Sequence, residues 1–135
     1  MVQHDADATK TVMKKVLVID DVKEIVMLMV ETLQVYGFHT VEALDGASAL
    51  LVAQEQRPDL VLCDMHMPNL DGFGVLAALR GNTSTASIPF IFISGDAGTA
   101  KRQQARESGA TDFIAKPFTA SELMSTVDSR LKDIA

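Results

Sequence analysis

The chain has 135 residues, 47% hydrophobic and 22% charged, which fits one globular domain around a single core rather than a disordered chain. Twelve basic against eighteen acidic residues leave a net charge of −6, which argues against the chain itself binding nucleic acid, since neutralising phosphates needs clustered Lys and Arg. A single cysteine excludes an internal disulfide, no apolar run approaches the roughly 20 residues of a membrane span, and the polar N-terminus does not read as a signal peptide; the expectation is a cytoplasmic domain with no membrane partner.

Residues 1–13 are polar and lack periodicity, so they read as a flexible tail ahead of a folded domain over 14–135. Residues 15–20 form the first predicted strand. A helix over 24–36 follows, with Ile25, Met29, Leu33 and Tyr36 on its inner face and Gly37 ending it. Residues 38–43 alternate as an edge strand does. Asp45-Gly46 opens a second helix with Ala49, Leu50 and Ala53 inside, and Arg57-Pro58 stops it. A buried strand over 59–64 leads into a loop and then a helix over about 72–80 carrying Phe73, Leu76 and Leu79. After a polar turn, 88–94 is a strand and 97–108 a polar, largely exposed helix closed by Gly109. The last strand is 111–116. In the last helix, 119–131, Thr119 and Glu122 form a capping box, and Leu123, Val127 and Leu131 face inward.

Strands alternating with helices imply an α/β fold, a doubly wound five-stranded parallel sheet covered by five helices through right-handed crossovers. If the strand order is 2-1-3-4-5, flavodoxin-like, the first and third strands meet at the topological switch point, where such sheets place their ligands. Four strand ends then carry chemistry. The first strand runs into Asp20-Asp21, the third into Asp64 with Pro68 four residues on, the fourth into Ser94-Gly95, and the fifth into Lys116-Pro117.

Three carboxylates brought together repel one another and call for a cation, and oxygen ligands favour a hard ion such as Mg²⁺. Asp64, ending the central strand, is the candidate nucleophile for an aspartyl phosphate. Mg²⁺ and Lys116 would neutralise the phosphoryl oxygens while Ser94 hydrogen-bonds one of them. Each residue alone has a plainer reading: Asp20-Asp21 as the acidic start of a helix, Lys116 as a solvated lysine, Ser94 as a turn residue. Their weight lies in the combination.

As a set, Asp20-Asp21, Asp64 with Pro68, Ser94-Gly95 and Lys116-Pro117-Phe118 resemble the receiver domain of two-component response regulators, of the single-domain chemotaxis-regulator kind, over about residues 14–135. The resemblance implies that Asp64 is the phosphorylation site and that Asp20, Asp21 and Asp64 hold Mg²⁺, or Mn²⁺ in its place, with the backbone carbonyl of His66. It implies catalytic roles for Lys116 and Ser94, a switch formed by Ser94 and Phe113, and a cis bond before Pro117. His66 and Asp96 take the positions that tune phosphoryl lifetime. Without the resemblance, Phe113 is a plain core residue and the His66 imidazole a solvent-facing side chain.

The implied donor is a phosphohistidine on a histidine kinase or histidine phosphotransfer protein. The implied output is a docking face on the fourth helix, fifth strand and fifth helix, read by a downstream protein target, with the chain a monomer or a phosphorylation-dependent dimer. No separate enzymatic turnover is expected. A phosphatase of the haloacid-dehalogenase type is disfavoured, since that family places a second Asp where His66 stands. A degenerate receiver is disfavoured because every expected site residue is present. No glycine-rich nucleotide-binding motif follows the first strand.

Overall fold

The computed structural model describes residues 13–132; the expected tail, apart from Met13, lies outside the described residues. Five strands, β1 (Lys15–Ile19), β2 (His39–Ala43), β3 (Leu60–Asp64), β4 (Phe90–Ser94) and β5 (Asp112–Ala115), alternate with five helices. The helices are α1 (Lys23–Val35), α2 (Gly46–Gln56), α3 (Gly72–Arg80), α4 (Thr99–Glu107) and α5 (Ala120–Lys132). All strand pairings are parallel and the order is β2-β1-β3-β4-β5, as expected.

The inner strands β1, β3 and β4 are short apolar runs because helices cover both faces, so successive side chains enter two separate cores, whereas the edge strand β2 alternates and is only partly buried. Leu17, Ile19, Val61, Cys63, Phe90 and Phe92 pack with α2 and α3 through Ala49, Ala53, Val75, Leu76 and Leu79. Val16, Val18, Leu60, Leu62, Ile91 and Ile93 pack on the other side with α1 and α5 through Val26, Met29, Leu33, Leu123, Val127 and Leu131. The register decides where the chemistry lands. Ile19 lies opposite Cys63, Asp64 opposite Ile93 and Ser94 opposite Ala115, so residues 20, 64, 94 and 116 share one rim.

α4 begins at Thr99 rather than 97, with Gly98 as its N-cap, β5 spans Asp112–Ala115 within the expected 111–116, and three further local expectations change. Tyr36 is not on the inner face of α1: it falls one residue past the helix end, is 55% exposed, and the chain turns at Gly37 (φ 92°) so that Phe38 packs on the core instead. Val26 takes the inner position that Tyr36 was expected to share. β4 starts at Phe90 rather than 88, because Pro89 has no N–H for the ladder and contributes only its carbonyl, to Val61 N (2.9 Å). β3 starts at Leu60, since the Asp59 carboxylate accepts from Lys15 N (2.7 Å). The Thr119–Glu122 capping box forms in both directions, Thr119 N to Glu122 Oε1 (2.8 Å) and Glu122 N to Thr119 Oγ1 (3.0 Å). Among the described residues no helix is long and apolar enough to cross a membrane.

Candidate functional site

Asp20 leaves β1 fully buried, and one carboxylate oxygen, Oδ1, accepts Val22 N (2.9 Å), the first free N–H of the turn into α1. The other oxygen, Oδ2, accepts Lys116 Nζ at 3.2 Å across 96 residues of sequence. The same ammonium donates to Asp64 Oδ1 at 3.1 Å, across 52 residues. The exposed Asp21 completes the cluster, with one oxygen of each carboxylate within 4.8 Å of the others. A monovalent ammonium between buried carboxylates leaves negative charge over, and an all-oxygen donor set open to solvent at Asp21 fits a hard divalent cation that keeps some of its waters.

The electrostatics follow from burial. Desolvation pushes the Asp64 carboxyl up from its ordinary value, with the Asp20 charge adding to the rise and Lys116 opposing it. Burial alone would depress Lys116, but its hydrogen bond to Asp64 and the charges of Asp20 and Asp64 outweigh that and raise it, so the ammonium stays charged. Cys63, one residue before Asp64, is held far toward the neutral thiol by burial and by the neighbouring carboxylates.

Ser94 is buried, and its Oγ accepts Asp96 N (3.0 Å), leaving the hydroxyl proton available. A side chain added at Gly95 would meet nothing within 4 Å, so the approach to Ser94 is open on that side. Lys116 N donates to Ser94 O (2.8 Å), tying the ends of β4 and β5 together, and the Lys116–Pro117 bond is cis. The structure therefore brings Asp20, Asp21, Asp64 and Lys116 into one cluster with Ser94 on the adjacent strand end. His66 and Asp96 sit exposed in the loops after β3 and β4, where Asp96 Oδ1 accepts Gly98 N (3.4 Å). Phe113 lies apart, half-buried within β5 opposite Phe92.

Three features are missing from the sequence reading. Asp71 caps α3 by accepting Gly74 N (2.9 Å), a signal present in the sequence as an acid just before a helix. Gly72 packs so tightly on β3 that an added Cβ would sit 2.5 Å from the Asp64 carbonyl oxygen and 2.8 Å from Phe92. The Arg102 guanidinium lies 4.8 Å from the centroid of the Phe113 ring, a contact between α4 and β5 that no local pattern announces.

Residues 16–128 match the response regulator receiver domain family. The chain is 36% identical over 118 residues to the transcriptional regulatory protein PrrA of Mycobacterium tuberculosis, covering 87% of this chain and 50% of that one. It is 36% identical over 115 residues to the response regulator PleD of Caulobacter vibrioides, covering 85% and 25%. The chain thus spans about half the length, or less, of these curated relatives. Among solved structures, the chemotaxis protein CheY4 of Vibrio cholerae superposes with a TM-score of 0.84 at 32% identity, over 87% of this chain and 98% of that one. The receiver domain of the sensor histidine kinase PA1611 of Pseudomonas aeruginosa superposes at 0.82 with 25% identity, over 90% and 99%, and that protein holds a magnesium ion in its active-site cleft. A match running from the first strand into the last helix, on a sheet of this order, leaves one conclusion: the chain belongs to the response regulator receiver domains, the phosphoacceptor modules of two-component signalling.

Proposed function

We propose that Asp64 is the phosphoacceptor and that the unit over 14–135 takes a phosphoryl group from a phosphohistidine on a histidine kinase or histidine phosphotransfer protein. The observation that carries this reading is the Lys116 ammonium held between Asp20 (3.2 Å) and Asp64 (3.1 Å), three groups from three different strand ends. A carboxylate oxygen of Asp64 attacks phosphorus in line, the P–O bond forms as the P–N bond breaks, and the imidazole nitrogen of the donor leaves with the electron pair. Mg²⁺, or Mn²⁺, held by Asp20, Asp21, Asp64 and the backbone carbonyl of His66, supplies positive charge to the phosphoryl oxygens when bound. Lys116 adds its own charge to the same oxygens, and Ser94 donates its free hydroxyl proton.

Ser94 and Phe113 then form the switch. A hydroxyl drawn toward the phosphoryl group vacates space behind it, Phe113 turns inward, and the face of α4, β5 and α5 changes for a downstream protein target. The Arg102 guanidinium over the Phe113 ring supports this reading, because any turn of that ring breaks a contact on the docking face. His66 and Asp96, exposed beside the acceptor and the hydroxyl, set how readily water reaches the acyl phosphate. The unit has no substrate turnover of its own, works in the cytoplasm as a monomer or phosphorylation-dependent dimer, and takes no nucleic acid itself. The name of MtrA of Mycolicibacterium smegmatis describes DNA binding by that longer protein, of which this chain spans 52%.

The test is incubation with acetyl phosphate and Mg²⁺, read by intact mass. One phosphoryl adduct is expected in the wild type and none with a chelator or in Asp64→Ala. An adduct persisting in Asp64→Ala would remove the assignment.

A further inference from the structure

Three glycines around the loop after β3 have ordinary backbone angles, the positive-φ glycines being Gly37 and Gly109 elsewhere. Conformational freedom therefore does not explain Gly46, Gly72 or Gly74; space does. A Cβ at Gly46, the first residue of α2, would lie 2.6 Å from the Leu70 carbonyl oxygen and 2.8 Å from Leu70 Cβ. A Cβ at Gly74, in the first turn of α3, would run into Leu70 Cδ1 and lie 3.3 Å from its Cγ. Leu70 is thus wedged between the N-terminal turns of two helices, each stripped to hydrogen where it touches.

Both walls of the seat are capped helix N-termini. Asp45 caps α2 through Ser48 N (2.7 Å) and Ser48 Oγ (3.0 Å), and Asp71 caps α3 through Gly74 N (2.9 Å). The loop that Leu70 belongs to is closed at its base by Gly72 N donating to Met65 O (3.1 Å) and Met65 N donating to Ile93 O (3.0 Å). Within it Met67 is buried, and Asn69 adopts a left-handed conformation (φ 67°) that turns the chain back so Leu70 can reach its seat. The arc from Met65 to Asp71 is pinned at its two ends and at Met67 and Leu70, while His66 is left exposed on it two residues after Asp64.

We infer that Leu70 is a positioning residue for cation binding: its seat between Gly46 and Gly74 fixes the arc that carries the His66 carbonyl relative to the Asp64 carboxylate. This rests on the reading of the acidic cluster as the Mg²⁺ site. A wedge between α2 and α3 sets the placement of one oxygen ligand without itself touching the ion; hydrogen-bonding partners that orient a ligand are worth about 10- to 100-fold in metal affinity, and a packing wedge is set at the lower end of that range.

The experiment is calorimetric titration of Mg²⁺ into the wild type, Gly74→Ala, and Gly74→Ala with Leu70→Val, well below each protein's melting midpoint, with circular dichroism to show that each is folded. Gly74→Ala places a methyl group where Leu70 Cδ1 sits and is expected to weaken Mg²⁺ binding about tenfold. Leu70→Val removes a carbon from the wedge, so the double variant conserves volume and is expected to recover most of that loss. The acetyl phosphate reaction at saturating Mg²⁺ is expected to stay within about twofold of wild type in Gly74→Ala, because the wedge acts on metal affinity and not on the nucleophile. A folded Gly74→Ala that binds Mg²⁺ as tightly as wild type, or a double variant no better than the single, overturns the inference. Failure of the wild type to bind Mg²⁺ at all would instead overturn the reading of the acidic cluster.

Discussion

At the scale of single residues, Asp64, the proposed acceptor, lies buried beside another acid. Its carboxyl is raised from the ordinary value by burial first and by Asp20 second, so the folded chain binds this proton more tightly than the unfolded chain does. The stability this proton confers is fully present below the ordinary carboxylate pKa and is lost as pH rises through the raised one. Metal-free protein at neutral pH therefore carries an ionisation cost at Asp64. Asp64→Asn removes that cost while keeping an oxygen for Lys116 to bond. Its melting midpoint without metal is expected to exceed wild type by about 3 °C at pH 7, with the difference shrinking as pH falls toward the ordinary carboxylate range. Thermal melts across pH check it, and an advantage that grew in acid would contradict the assigned direction. Lys116 is the converse case, a cation bonded to two carboxylates of the acidic cluster proposed to hold the metal. Lys116→Met is expected to bind Mg²⁺ about threefold or more tightly in calorimetry, since a unit charge has left the cluster, yet to be labelled by acetyl phosphate at least about a hundredfold more slowly.

At the scale of elements, the helices are anchored very unequally. α5 has a complete capping box, four buried side chains and an ion pair from Arg130 Nε to Asp112 Oδ2 (2.9 Å) that holds it to β5. α4 buries only Ala105 and begins at Gly98 with no side-chain cap. Its C-terminal end is held from outside: the Arg80 guanidinium donates to the carbonyls of Ala86 (3.1 Å), Ile88 (2.7 Å) and Gly109 (3.1 Å), joining the turn that precedes β4 to the end of α4. Arg80→Ala is expected to cost about 2–3 kcal/mol, because three carbonyls lose a charged donor, and to speed amide exchange in α4 before α3 or α5. Denaturant melts and hydrogen exchange measure both, and uniform exchange across the helices would contradict the anchoring. Much of this level was legible in the chain. Apolar runs ending in an acid, a hydroxyl or an amine marked β1, β3, β4 and β5 and the residues at their ends, alternation marked the edge strand β2, and Thr119 with Glu122 announced the start of α5. Contacts made between elements were not legible. Tyr36 shared the helical period of α1 but fell beyond its end, and Leu70 meets Gly46 only after α2 and α3 have packed together. Arg102 finds Phe113 across a helix–strand gap that no periodicity encodes.

At the scale of the whole molecule, a chain of net charge −6 concentrates acids at the carboxyl edge of its sheet, so the folded form should be a better magnesium ligand than the unfolded chain, in which Asp20 and Asp64 are separated. Binding to the folded form alone stabilises it by mass action, by about 1.4 kcal/mol at ten times the dissociation constant, which is a rise of roughly 5 °C in the melting midpoint. Two other causes could raise the midpoint: screening of general repulsion among eighteen acids, and weak condensation of the ion over the surface. They separate cleanly. Screening responds to ionic strength, so sodium chloride at matched ionic strength would reproduce it, whereas site binding needs the divalent ion and saturates. Asp20→Asn keeps an oxygen able to accept from Val22 N and changes the net charge by a single unit, leaving any diffuse effect almost intact while removing one ligand from the cluster. The expected outcome is a saturating Mg²⁺-dependent rise in wild type, a much smaller rise with sodium chloride, and loss of most of the Mg²⁺-specific part in Asp20→Asn. If that variant showed the same saturating rise as wild type, the convergence of distant strand ends would have to be read as packing alone, and the acids at this rim would lose their claim on the metal.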